Sequence, residues 1–306
     1  MKPFLIYLRQ YYVSLNKKVF LFTSLLVALL IVVNYTIGIE SRINDFSFYP
    51  ERFSGFFLLY SFTFCFAYWI HFTITGHYWP RDYTFILLML LAAAIFAWKI
   101  SSQNLAHSLT RNLSPDWRRY WNIVADWPVK TMVQLILVVV VWKLFSLDNP
   151  VAGMTRKNFT LKPYLLLLLL MLPLIGFAAT QEQFLNAYPK LKMVDFISRF
   201  SEQPWRERLL FELSYGSDFF GIELFFRGFV VLAFVRYAGK DAILPMAAFY
   251  CTIHFGKPIL ECISSYFGGL ILGVLVYRTK TIWGGLITHL GIAWLMEMVG
   301  YWMRYR

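Results

Sequence analysis

The stretch 19–38, VFLFTSLLVALLIVVNYTIG, contains no Asp, Glu, Lys or Arg and is preceded directly by Lys17 and Lys18. The hydrocarbon core of a bilayer is about 30 Å thick, and an α-helix crosses it in roughly 20 residues. The stretch has the length and composition of one crossing, with a basic pair at its headgroup end. Backbone amides and carbonyls inside lipid must bond within the segment, so such a run is a helix. The polar–apolar alternation of a barrel strand is missing from it and from the rest of the chain.

Comparable apolar runs lie at about 53–74, 83–100, 129–145, 162–177, 209–236, 242–255, 259–277 and 282–303. The run 242–255 is short for a crossing. An all-α, polytopic transmembrane bundle of eight or nine spans is therefore expected. The composition agrees, with 58% hydrophobic and 15% charged residues over 306 positions, because a soluble domain could not hide so much apolar area. Residues 1–18 lack the short apolar core and cleavage site of a signal peptide, so the first span is expected to target the chain. The dense Phe, Trp and Tyr, 20% of the chain, are expected mainly on lipid-facing surfaces and in headgroup belts.

A formal charge of +12 would suggest nucleic acid in a soluble protein. Here the bases sit between apolar runs, where anionic headgroups attract them. Phosphate-neutralising patches need a solvated face, so membrane lipid and not nucleic acid is the expected partner. Counting nine spans puts the basic N-terminus, 143–162, 236–240 and 278–280 on one side, the cytoplasmic one by the positive-inside rule. The loop 101–128, with Arg111, Arg118 and Arg119, falls on the other side and conflicts with that orientation. A multi-pass protein of a cell membrane, read as the bacterial cytoplasmic membrane, is expected. Cys65, Cys251 and Cys262 lie in apolar stretches without metal-ligand spacing and read as free, packed thiols.

Residues 181–208 mix Pro189, Pro204, acids, bases and apolar side chains, which reads as a linker with an interfacial helix. This divides the chain into N-terminal spans (1–180), the linker (181–208) and C-terminal helices (209–306) that carry polar residues. Glu223 and Arg227 are four residues apart, on one face of a continuous α-helix. His254 ends the short run before a Gly/Pro break, and His289 lies about two turns into the last span. A charge inside the bilayer costs at least a few kcal/mol unless paired. A Glu–Arg pair that only joins two helices would satisfy that cost, but ionisable groups on three separate spans point to a site.

Glu261 follows His254 by seven residues and reads either as a further site carboxylate or as the first-turn acid of a helix starting at Pro258. The second reading is preferred. Glu212, Asp218 and Glu297 are nearer to span ends and are expected at the interface, as are His71, His77 and His107. The glycines at 268–273 include a GxxxG spacing and read as a helix-packing feature.

The sequence Ile222-Glu223-Leu224-Phe225-Phe226-Arg227, then Tyr250 to His254, then His289 to Ala293, resembles the CAAX-protease and bacteriocin-processing (CPBP, or Abi) family of intramembrane proteases. That family's pattern is EExxxR, FxxxH and HxxxN or HxxxD on successive C-terminal helices. The likeness covers about residues 209–297. Glu223, Arg227, His254 and His289 match position by position. Ile222 stands where the family has its water-activating Glu, and Ala293 where it has an oxyanion-stabilising Asn or Asp.

The resemblance implies glutamate-type peptide hydrolysis in the membrane plane on a peptide or membrane-protein substrate. Glu223 or Glu261 with His254 would activate water, His289 would hold the oxyanion, and Arg227 would orient Glu223. No cofactor is expected, since HExxH is missing; zinc, which accepts two His and a Glu, is the alternative. Ile222 and Ala293 favour the other reading, a catalytically inactive scaffold or immunity-type factor of the same fold that binds a peptide or partner helix.

Overall fold

The computed structural model describes residues 2–76, 82–103, 105–148, 150–157 and 159–305. Its α-helices are α1 (Lys2–Ser14), α2 (Lys17–Ile37), α3 (Ile39–Asn44), α4 (Tyr49–Thr75), α5 (Tyr83–Ser101), α6 (His107–Thr110), α7 (Pro115–Leu144), α8 (Lys162–Ala178), α9 (Glu182–Ala187), α10 (Pro204–Glu223), α11 (Val235–Ala238), α12 (Ile243–Thr252), α13 (Ile259–Thr279) and α14 (Trp283–Tyr305). The all-α class holds among the described residues. The side chain of Asn16 caps α2 by accepting from the amides of Lys18 and Val19 at 3.0 and 3.3 Å.

Among the described residues, five helices are long and apolar enough to cross a bilayer: α2, α4, α5, α7 and α13. The chain is thus a multi-pass membrane protein. The other apolar runs take different forms. Residues 162–177 form α8, a shorter apolar helix. The run 209–236 is α10, a π-helical segment Leu224–Val231 and the short α11. The run 242–255 contains the 10-residue α12, about 15 Å long and too short to cross alone. The run 282–303 falls in α14 from Trp283 onward, and this helix carries the polar His289 and Glu297.

Residues 101–128 are not the open loop expected. The 30-residue α7 begins at Pro115 and continues through Pro128. Proline there removes one backbone hydrogen bond, and this helix continues past it. The linker residues form α9 and a 3-10 segment, Lys190–Arg199.

The chain divides into two compact units. The first comprises Met1–Ser102, Leu137–Phe159 and Leu224–Ile282. Its interior is aromatic: Tyr60, Phe64, Phe85, Phe96, Phe225 and Phe249 are each at most 1% exposed. Phe96 meets Phe225 and Phe226 with ring centroids 5.2 and 5.0 Å apart, and Phe64 meets Phe249 at 5.5 Å. A large part of the aromatic content is therefore core and not the lipid-facing belt expected, because rings packed against one another at a tilt fill interhelical space with apolar area. Gly269 and Gly273 both face α12, as the GxxxG spacing suggested.

The second unit comprises Gln103–Ile136, Thr160–Glu223 and Trp283–Arg306. Tyr120, Val124, Val194, Ile197 and Phe211 form one of its cores, and α14 packs against α8 and α10. Glu297, expected at the interface, is 5% exposed. Its carboxylate accepts from the amides of Lys190 and Leu191 at 2.8 and 3.1 Å, which satisfies the start of the 3-10 segment. His71, also expected at the interface, is 4% exposed and lies edge-on to Phe72. His107 is exposed, and His77 lies outside the described residues.

Candidate active site

In the second unit, Glu223 is the last residue of α10 and is fully buried. Its Oε1 lies 2.9 Å from Nδ1 of His289 on α14. These are the first and third motif residues read from the sequence, 66 positions apart, and the packing of α10 on α14 brings them together. Phe219, one turn before Glu223, sets its ring edge-on against His289 with centroids 4.8 Å apart. Gly285, one turn before His289, has no side chain where the carboxylate passes; a Cβ there would overlap Glu223 Oε2. Only glycine permits this approach.

A carboxylate held at Nδ1 selects the tautomer with the proton on that nitrogen, so Nε2 is the proton-accepting position of the neutral ring. The same contact stabilises the imidazolium once Nε2 takes a proton. Ala293, one turn past His289, is 5% exposed in an apolar cluster with Tyr215 and Phe219. The expected gap in polar donors at this position is thus filled with packed hydrocarbon.

In the first unit, Arg227 is fully buried on the π-helical segment. A π turn is wider than an α turn, so the even α-helical spacing assumed between Glu223 and Arg227 stops at Glu223. The Arg227 guanidinium sits 4.0 Å from the centroid of the Tyr250 ring, a cation–π contact. His254 packs on the same tyrosine with centroids 4.7 Å apart, and its Nδ1 is 3.0 Å from the carbonyl of Tyr250. That carbonyl fixes the ring much as Glu223 fixes His289: Nδ1 donates and Nε2 accepts.

Tyr250, at the aromatic position of the second motif, joins the second-motif histidine to the first-motif arginine. Glu261 lies in the first turn of α13, and its carboxylate is 4.0 Å from Lys257 Nζ. Among the described residues, no three His, Cys, Asp or Glu side chains gather as a metal's ligands would. Gly285 and Phe219 carry no polar signature for this role, so motif spacing alone did not single them out.

Residues 212–295 match the family described as type II CAAX prenyl endopeptidase Rce1-like. The match takes in Glu223, Arg227, His254, Glu261 and His289, nearly the stretch over which the motifs resemble CPBP proteases. It supports a protease-like membrane fold for this part of the chain. No curated protein and no solved structure matches the chain.

Proposed function

We propose that this protein hydrolyses peptide bonds of membrane-embedded substrates, with Glu223 and His289 as its acid–base pair. The observation that carries the reading is the 2.9 Å contact between a wholly buried carboxylate and an imidazole on a different helix. Nε2 of His289 takes a proton from water as the water oxygen attacks the peptide carbonyl carbon. Glu223 stabilises the resulting imidazolium. The proton then passes to the leaving nitrogen as the C–N bond breaks, giving a carboxylic acid and an amine. This assigns His289 the base role, in place of the oxyanion role that the family resemblance implied. His254 and Arg227 belong to the reading through their motif positions and their shared contact with Tyr250.

The test uses the full chain purified in detergent with fluorogenic membrane-peptide substrates. Glu223→Gln and His289→Ala are expected to lower turnover by about 10³-fold or more, and His254→Ala to lower it measurably. Equal cleavage by all four proteins removes the site. A second reading, a binding protein of the same fold without catalysis, is favoured by the apolar packing around Ala293. It predicts peptide binding without cleavage in the wild type.

A further inference from the structure

Asn34 is the one amide in the run 19–38 and is 4% exposed. Its Nδ2 donates to the carbonyl of Phe255 at 3.0 Å, and its Oδ1 accepts the amide of Glu40 at 3.0 Å. The neighbouring Tyr35 hydroxyl donates to the carbonyl of Lys257 at 2.6 Å. The chain turns back at Gly38, in the left-handed region with φ +71°, which brings Glu40 over the same segment. There the Glu40 carboxylate lies against Gly256; a Cβ on that glycine would stand 2.7 Å from Oε1. Three successive residues after His254 are thus gripped by the end of α2 and the start of α3.

Helix α12 ends at Thr252; the carbonyls of Cys251 and Thr252 accept the amides of His254 and Phe255, but the carbonyls of Phe255 and Lys257 lie further along the turn, past the helix. In apolar surroundings such groups need donors from elsewhere. A span made only of Leu and Val could not supply them. Asn34 and Tyr35 do so, at the two carbonyls of Phe255 and Lys257 that bracket Gly256. The turn closes on itself through the amide of Lys257, which donates to the carbonyl of His254 at 3.0 Å. Plain helix packing would explain a buried Asn, but not its aim at the backbone immediately following the motif histidine, with Tyr35 aimed two residues further on.

We infer that Asn34, together with Tyr35, is a positioning residue for His254: the first strongly apolar helix sets the orientation of a histidine at the far end of the chain. The inference rests on the proposed peptidase only in giving that histidine a catalytic purpose. The test is carbethoxylation of the full chain in detergent by diethyl pyrocarbonate, followed residue by residue by mass spectrometry across pH.

Asn34→Leu and Tyr35→Phe are each expected to change the modification rate of His254 by about threefold or more, or to move its pH midpoint. His289, in the same molecules, is expected to stay within about twofold. Unchanged His254 reactivity in folded variants overturns the inference, and so does an equal change at both histidines, which marks general loosening. If Asn34→Leu does not fold, Tyr35→Phe, which leaves the amide in place, decides it. Where wild type cleaves peptide, Asn34→Leu is expected to lower kcat by about tenfold or more with little change in KM. A wild type that cleaves nothing sinks the peptidase reading, while the modification rates still judge the positioning role.

Discussion

The α carbon of Gly285 borders the carboxylate of Glu223 so closely that any side chain there would overlap Oε2, the oxygen not bonded to His289. The acid–base pair therefore depends on a hydrogen atom one helical turn from the imidazole. A larger residue at 285 must push the carboxylate aside, and the carboxylate has no polar solvent to move into, being fully buried.

Gly285→Ala is accordingly expected to lower peptidase turnover about as far as Glu223→Gln and to destabilise the chain by about 1–3 kcal/mol through overpacking. The comparison is Gly268→Ala on α13, where a Cβ meets nothing within 4 Å. There the better helix propensity of alanine is expected to raise stability by up to about 1 kcal/mol. Thermal unfolding in detergent and the peptidase assay check both. A Gly285→Ala protein with full turnover would show that the carboxylate has room that the packing denies it.

Long apolar helices such as α2 and α13 were legible because hydropathy over about 20 residues is a local property. The conjunction of Glu223, Arg227, His254 and His289 was legible because motif order survives in one dimension. What stayed hidden depends on distance or on backbone form. Asn34 bonds to a residue 221 positions away. The change from α to π geometry after Glu223 leaves no compositional mark, since the flanking residues on both sides are apolar. Glu297 looked interfacial because its position in the span was read without the two amides that bury with it.

Those amides give a second prediction. Removing the carboxylate in Glu297→Ala leaves the half-buried amides of Lys190 and Leu191 without their acceptor, at a cost of about 1–3 kcal/mol. Glu297→Gln keeps one acceptor oxygen and is expected to cost less. Unfolding temperatures of the two variants measure the difference, and faster proteolysis near residue 190 in Glu297→Ala would locate it. Equal stability of both variants and wild type would mean that the carboxylate does not anchor the 3-10 segment.

The thiols of Cys251 and Cys262 lie 3.9 Å apart, both fully buried, at the end of α12 and the start of α13. A disulfide needs the sulfurs near 2 Å, so a modest approach suffices. Treatment with iodine, which accepts the two electrons and releases the two thiol protons as acid, is expected to give one intramolecular bond between them. Mass spectrometry of non-reduced peptides should find that pair and leave Cys65 unlinked. Bulky water-soluble maleimides should label both slowly before unfolding. Recovery of Cys65 in the main crosslink would contradict the packing of α12 on α13.

Glu40 makes stability depend on pH. Burial, the largest influence, raises its carboxyl above the ordinary range; the hydrogen bond from Asn44 opposes the rise, and Asp45 adds to it. A carboxyl that holds its proton more tightly in the folded chain than in the unfolded one favours folding at low pH. That contribution is fully present below the unfolded pKa and is lost as pH climbs through the raised folded value. Wild type is therefore expected to lose unfolding temperature relative to Glu40→Gln across this window, from the ordinary carboxylate range upward. Below and above it the two curves should run parallel. Asn44 can still donate to the glutamine carbonyl, so the comparison isolates the ionisation. Curves parallel at every pH, measured in one detergent and buffer series, would show that Glu40 titrates alike in the folded and unfolded chain, and that its contact with Gly256 is not the desolvating one.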